Sequence, residues 1–364
     1  MGSRRALFIL PVDQAGGAER VLATAAETLG RRPGWQVEII AFGHGGKSFL
    51  GDACGAAALT LLEGSCRAGS EWRVLPRIVG RRFDLVMSSH IRINAFLALA
   101  RQLKLLHCDR LVTRESTVLA ERYGGWRMVA YRGLYRCYGA QDLIVAQTDH
   151  MAAKLAEVLA SPVAGKIIVA ANPIDRQRVA AMGDEPLPEE ESTALAARPH
   201  IAWCGRLIAI KQPSLALACL QAARRQSSLD LALAMIGSGP LEGDLRRQAA
   251  DLGLEKHIRF FGQRANPLPI IKACAFGLLT SRVEGFPNVL LEMMACGVQR
   301  IVSTSCAGDL DTLDGLRVVD GFDAEALAAA LLPADSSRRE CASRYASTLA
   351  RRSPQRFVDV LLGN

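Results

Sequence analysis

Phe276-Gly-Leu-Leu-Thr280-Ser-Arg-Val-Glu284-Gly-Phe-Pro-Asn288-Val-Leu-Leu-Glu292-Met-Met-Ala-Cys-Gly297 is the stretch from which the rest of this chain is read. Four apolar residues, Phe276 to Leu279, have the length of a short buried strand. Asn288 to Ala295 repeats apolar residues at helical spacing, and Gly297 closes the helix. Between them Gly285 permits close backbone approach, Pro287 pre-sets a first helical turn, and the amides that follow point outward as a site for an anion or hydroxyl. Glu284 falls before the helix and Glu292 about a turn and a half inside it, so two carboxylates reach different parts of one extended ligand.

The same strand-then-helix unit recurs on both sides. Ala6 to Leu10 precedes Ala18 to Leu29, Phe83 to Met87 precedes Asn94 to Leu105, and Leu143 to Ala146 precedes His150 to Leu159. Such alternation predicts an α/β architecture on parallel sheets. The pattern restarts after Asn172-Pro173, where an acidic stretch (Asp184 to Glu191) leads into a new strand at Ile201 to Cys204. With 364 residues, two cores are expected: residues 1–172, residues 173–350, and a terminal helix, 351–364, that returns to the first domain.

Composition narrows the class. At 50% hydrophobic and 22% charged residues the chain is a folded protein, and its longest apolar runs fall short of a membrane span. Met1 to Arg5 does not lead into a signal peptide, because the apolar run from Ala6 stops at Pro11, so a cytoplasmic location is expected. Ten cysteines without one CxxC pair argue against zinc and a disulfide framework. The net charge of +8 lies wholly before Asn172, where 22 Lys and Arg face 14 Asp and Glu; the remainder carries 22 of each. Arg67 to Arg92 and Arg122 to Arg136 hold much of it, the latter among Trp126, Tyr131, Tyr135 and Tyr138. A basic, aromatic face suits an anionic membrane surface or a merely solvated one; nucleic acid ranks below both, since no recognised binding motif accompanies the charge.

Several motifs compete. Ala41 to Ser48 (AFGHGGKS) resembles a phosphate-binding loop centred on Lys47, yet the segment after it, with Gly51 and Gly55, is a poor helix start. Gly237-Ser238-Gly239-Pro240 has Glu242 where a dinucleotide fingerprint needs its third glycine, which leaves a tight turn. Asp309-Leu310-Asp311 is a triplet expected by chance in a chain this long, and His107 and His257 are more often structural than catalytic.

Two further features join the opening stretch. Gly16-Gly17 follows the first strand and opens a helix, where backbone can approach an anion. Gly205-Arg206-Leu207 follows a strand, and Lys211 lies five residues beyond Arg206, which puts two cations at a strand's carboxyl end, where phosphates bind in open sheets. Together with Gly-Gly-Ala-Glu near the start, Ile-Gly-Ser-Gly-Pro-Leu, Phe-Phe-Gly-Gln and Glu-Gly-Phe-Pro-Asn-Val-Leu-Leu-Glu, these resemble the retaining glycosyltransferase family 4. The likeness is strong from Ile201 to Thr304 and looser before it.

The resemblance implies a GT-B fold, two Rossmann-like domains facing across a cleft, and a metal-independent sugar transfer without a cofactor. By matching position, Arg206 and Lys211 hold the donor diphosphate and Glu292 the nucleotide ribose. Glu284 lies against the sugar, with Gly285, Phe286, Pro287 and Asn288 offering backbone contacts. Gly16 and Gly17 approach the phosphates, Gly262 and Gln263 border the base, and His90, Arg114 and Glu115 stand on the acceptor side. Implied partners are a nucleotide sugar, a UDP-sugar before a GDP-sugar, and a lipid-diphosphate-linked glycan on the cytoplasmic face of an anionic inner membrane. Departures occur at Gly297-Val298-Gln299-Arg300-Ile301 and Ala307-Gly308-Asp309-Leu310, which leave the phosphate grip intact and bear on nucleotide and sugar preference. Alternatives are an ATPase centred on Lys47 and a GT-B-like binding protein without turnover.

Overall fold

The computed structural model describes residues 3–13, 16–43, 50, 55, 57–64, 66–67, 69–332 and 338–363, and the loop around Lys47 lies outside them. The chain divides into two compact units: Met1–Pro173 with Arg352–Asn364, and Ile174–Arg351.

In the first unit seven parallel strands, β1 (Arg4–Leu10), β2 (Trp35–Gly43), β3 (Ala58–Glu63), β4 (Arg82–Ser88), β5 (His107–Arg114), β6 (Leu143–Ala146) and β7 (Ile167–Val169), lie in the order β3-β2-β1-β4-β5-β6-β7. Central β1 is buried from Ala6 to Leu10, as a strand covered on both faces must be. Phe8 and Leu10 point to one face, Leu7 and Ile9 to the other. Among helices of eight or more residues, α1 (Gly17–Gly30) covers the Phe8 face through Val21, Leu22, Ala25 and Leu29. The other face is covered by α2 (Ile91–Gln102), whose Phe96 and Leu97 meet Leu7 and Ile9, by α3 (Gly125–Tyr135), whose Tyr135 meets Ile91 and Ala95, and by α4 (Asp149–Ala156).

In the second unit six parallel strands, β8 (His200–Cys204), β9 (Ala232–Ile236), β10 (Ile258–Gly262), β11 (Phe276–Leu279), β12 (Arg300–Thr304) and β13 (Leu316–Val319), take the order β10-β9-β8-β11-β12-β13. They are covered by α5 (Arg176–Gly183), α6 (Glu189–Ala196), α7 (Pro213–Gln226), α8 (Glu242–Asp251), α9 (Asn288–Ala295), α10 (Ala324–Leu331) and α11 (Arg338–Ala350). Both units are therefore Rossmann-like sheets, as the alternation predicts.

The tail from Arg338 to Leu362 is two helices. Tyr345 of α11 is buried in the second unit, its hydroxyl donating to Val298 O at 3.0 Å. Ser353 then caps α12 (Pro354–Leu362), with Pro354 in its first turn, and Phe357, Val358 and Leu361 join the core of α1 in the first unit. Arg32 of the α1 exit pairs with Asp359 at 2.7 Å.

Candidate functional site

Each sheet reverses its strand order once beside its first strand: β1 is flanked by β2 and β4, and β8 by β9 and β11. At such a switch point the following loops diverge to opposite faces and leave a crevice at the strands' carboxyl ends. In the second unit the loop after β8 carries Arg206 and Lys211, and the loop after β11 carries Glu284, so topology alone makes neighbours of residues 73 apart in sequence.

Lys211 Nζ is ion-paired with Glu284 Oε1, their side chains 24% and 15% exposed. The pair is fixed by its loops. Trp203 Nε1 donates to Thr280 Oγ1 at 2.9 Å, and the Thr280 hydroxyl lies 2.8 and 2.9 Å from the carbonyl oxygens of Lys211 and Gln212. Arg282 N donates to Ile210 O at 2.8 Å and Glu284 N to Cys306 O at 2.7 Å. Gln212 takes a left-handed conformation, φ 45°, right after Lys211, a strained turn of the kind held by its surroundings at binding sites. Sequence reasoning missed Trp203 and Thr280; a threonine after an apolar strand is too common to signal anything. Cys306 beside Glu284 is a closed thiol, pushed up to about 12 by burial and then by the Glu284 charge.

Arg206 is exposed and, among the described residues, has no acid partner. Its loop rests on the next one: Leu207 N donates to Ser238 O at 3.0 Å and Leu241 N to Leu207 O at 3.2 Å. A Cβ at Gly237 would strike the Gly205 carbonyl, and one at Gly239 the Leu207 carbonyl, so both glycines are there for close approach. The Gly-Ser-Gly-Pro turn is thus a support for the Arg206 loop. Gly262 ends β10 at φ 67°, and exposed Gln263 accepts from Ser238 Oγ at 3.3 Å.

α9 starts with Pro287 as its N-cap, one residue earlier than a first-turn proline, and no side chain caps it. The positive end of its helix dipole lies at this start. Phe286 joins the core, Gly285 and Pro287 are buried, and Asn288 and Glu292 are partly exposed on the first and second turns.

In the first unit Gly16 is the N-cap of α1, without a side-chain cap, and the Glu19 carboxylate folds back over it, where a Cβ would collide. Gly17 is exposed beside it. His90 caps α2 next to the β4 exit; burial and then nearby Arg92 hold its imidazole down to about 4, so it is neutral at pH 7, and its Nδ1 is buried without a partner. Arg114 and Glu115, expected on the acceptor side, are 1% and 3% exposed. Arg114 ends β5 inside the sheet and donates to Ser89 Oγ at 2.8 Å and Asn172 Oδ1 at 2.6 Å. Glu115 accepts from Asn94 Nδ2 at 3.1 Å and Tyr138 OH at 2.6 Å, and burial pushes its carboxyl up to about 6. Gln147 closes the network between Glu115 O and Asn172. Arg114 thus ties Ser89 to Asn172, and Glu115 ties Asn94 to Tyr138.

The remaining motifs have local roles. Asp309 sits at φ 63° before a single turn, and His257 lies 3.0 Å from Arg198 Nη1. No helix among the described residues is long and apolar enough to cross a membrane.

Residues 198–334 match the family model described as glycosyl transferases group 1, and residues 15–178 match that of glycosyltransferase family 4. The GDP-mannose-dependent alpha-(1-6)-phosphatidylinositol monomannoside mannosyltransferase of Mycolicibacterium smegmatis is 30% identical over 230 residues, 59% of this chain and 59% of its own length. A 67-residue stretch, 18% of either chain, is 37% identical to an N-acetylgalactosamine-N,N'-diacetylbacillosaminyl-diphospho-undecaprenol 4-alpha-N-acetylgalactosaminyltransferase of Campylobacter jejuni. In fold, Anabaena Alr3699/HepE, solved in complex with UDP-glucose, superposes with a TM-score of 0.76 at 16% identity, covering 99% of this chain and 98% of that one.

Proposed function

We infer, from the membership of this chain in glycosyltransferase family 4, that it is a retaining enzyme moving a hexose from a nucleotide diphosphate sugar to a lipid-linked oligosaccharide or polysaccharide precursor. The observation that carries this reading is the Lys211–Glu284 pair beside the uncapped start of α9 and exposed Arg206, all at the switch point of the second sheet.

The chemistry follows from charge. Breaking the bond between the anomeric carbon and the diphosphate leaves a cationic sugar and a more negative leaving group. Arg206 and Lys211 then stabilise the charge that develops on phosphate, more strongly in the transition state than in the ground state. A bound diphosphate draws Lys211 into shared pairing and frees Glu284 to accept hydrogen bonds from sugar hydroxyls. Glu292, farther along α9, accepts from the ribose. The backbone from Phe286 to Asn288, at the start of α9, contacts the sugar hydroxyls. With the two cations in place no divalent metal is needed, and the leaving phosphate takes the acceptor's proton on the face it departs from, which retains configuration. In the first unit, His90, neutral at pH 7, is the acceptor-side group that can accept or donate a hydrogen bond, next to Ser89, which Arg114 holds.

Donor and acceptor class draw on the relatives' names. The mannosyltransferase is named for GDP-mannose and an inositol lipid, the second relative for an undecaprenyl-diphosphate glycan, and the structural neighbour was solved with UDP-glucose. UDP- and GDP-hexoses are accordingly the donors to screen, with a lipid-diphosphate acceptor at the cytoplasmic membrane face. Thermal shift with UDP, GDP and magnesium ATP separates this reading from an ATPase centred on Lys47: stabilisation by UDP or GDP supports transfer, and stabilisation by ATP alone contradicts it.

A further inference from the structure

We propose that α3 is the element by which this chain lies on an anionic lipid bilayer. This rests on the reading of a membrane-side acceptor and names the surface that reaches it.

The inner face of α3 is spent on the fold, with Tyr135 buried against Ile91 and Ala95 of α2. Its outer face is apolar. Trp126 is 76% and Val129 67% exposed, and exposed Ala130 and Gly133 complete a stripe at helical spacing. A helix face in water is ordinarily polar, so this arrangement is inverted. At 100° per residue Arg127 falls on one flank of the stripe and Arg132 and Arg136 on the other. All three are exposed and, among the described residues, none has an acid partner. The one carboxylate in this segment, Glu121, is taken by His150 at 2.6 Å. Arg127 lies over both the Trp126 and Tyr123 rings, at 5.7 and 5.9 Å, which keeps indole and guanidinium together at one level.

The neighbouring elements extend the same layer. Trp72, 52% exposed, packs edge-on to Phe96 of α2 at 5.5 Å, and Leu103 at the α2 exit is 57% exposed. Val79 follows on the same side of the sheet after Val74 and Ile78, with Arg77 between them. Of the exposed large apolar residues in the first unit, five (Trp72, Val79, Leu103, Trp126, Val129) therefore lie on the segments covering the Leu7 face, and none on α1 or α12, which cover the opposite face. Apolar side chains rimmed by unpaired arginines match a surface with acyl chains below and anionic headgroups above, and α3 would lie in the interfacial plane with Trp126 inserted.

The test is co-sedimentation of the full chain with vesicles of phosphatidylcholine alone and with phosphatidylglycerol added, at low and high salt. The variants are Trp126→Ser with Val129→Ser, Arg127→Glu with Arg132→Glu, and, as a control on the second unit, Leu229→Ser. Expected are binding only where phosphatidylglycerol is present, weakening with salt, and a loss of about tenfold or more in either α3 double variant but not in the control. Equal binding to neutral vesicles, or α3 variants that sediment like the wild type, would overturn the proposal. Nucleotide release from UDP- and GDP-hexoses is read on the same samples. Release retained by α3 variants that no longer sediment assigns the docking to α3 independently of chemistry, whereas vesicle binding with no release from any donor sinks the transferase reading and leaves the docking surface standing.

Discussion

Lys211 concentrates the claim about chemistry. Its ammonium is held by Glu284 and its backbone by Thr280, so Lys211→Ala removes a cation without touching the core. Turnover should fall on the order of 100-fold with the melting temperature little changed. Glu292→Gln should weaken binding of the bare nucleotide more than Glu284→Gln does, and calorimetry with UDP and GDP showing the reverse order would exchange their roles. Arg206 and Glu284 could be picked out of the sequence because each stands beside a glycine after a strand, and Lys211 and Glu292 because each keeps a fixed spacing from one of them. Thr280 and Trp203 could not, since their part is a contact made only by folding. Arg114 and Glu115 were placed on the acceptor side by resemblance, which carries no information on burial; here they are folded inward onto Asn94, Tyr138 and Asn172. That burial has a pH signature. His90, held down to about 4 from an ordinary 6.5, contributes stability that is present above pH 6.5 and is lost as pH falls to 4, on the order of 3 kcal/mol. Glu115, raised to about 6 from 4.5, works in the opposite sense: it favours the folded state at low pH and loses about 2 kcal/mol as pH rises from 4.5 to 6. In urea titrations across pH 4 to 6.5, Glu115→Gln should therefore steepen the acid loss relative to wild type and His90→Gln should flatten it; parallel curves for all three proteins would mean that neither group titrates as its burial requires.

Among the elements, the two strand orders explain why a short list of motifs makes a site. β8 and β11 are neighbours although β9 and β10 separate them in sequence, and the loops after them carry Lys211 and Glu284. Period and turn chemistry reveal that strands and helices alternate, which is enough for the α/β class. They do not reveal the pairing that brings two loops together, because strand order depends on crossovers that leave no local mark. The Gly237 to Pro240 turn, discounted as a nucleotide fingerprint, serves as a buttress, and it gives a direct prediction. Gly239→Ala would drive a Cβ into the Leu207 carbonyl, so the Arg206 loop must shift. Expected is a loss of about 2 kcal/mol or more in urea melts together with weaker nucleotide binding; an unaltered melt and unaltered affinity would show that the loop does not depend on this contact.

For the molecule as a whole, the chain's crossing at Arg351 has a mechanical consequence. Phe357, Val358 and Leu361 of α12 are buried against α1, and burying side chains of this kind contributes roughly 1.5 to 3 kcal/mol each. Deletion of residues 352–364 should therefore destabilise the first unit, read as a lower melting temperature or loss of soluble protein, while nucleotide affinity, assigned to the second unit, is largely kept in whatever folds. The sequence separates a terminal helix at 351–364, but not its packing partner α1, because that contact is made only by folding. The charge asymmetry of the sequence also acquires a place: its aromatic arginines line one face of the first sheet. The measurement that bears most directly on the assignment as a whole is nucleotide release from UDP- and GDP-hexoses in the presence of a polyprenyl-diphosphate-linked glycan, with wild type and Lys211→Ala compared with and without EDTA. Acceptor-dependent release of UDP or GDP by the wild type, insensitive to EDTA and about 100-fold slower in Lys211→Ala, is the expected result; release that requires added manganese, or that proceeds equally well without Lys211, would contradict it.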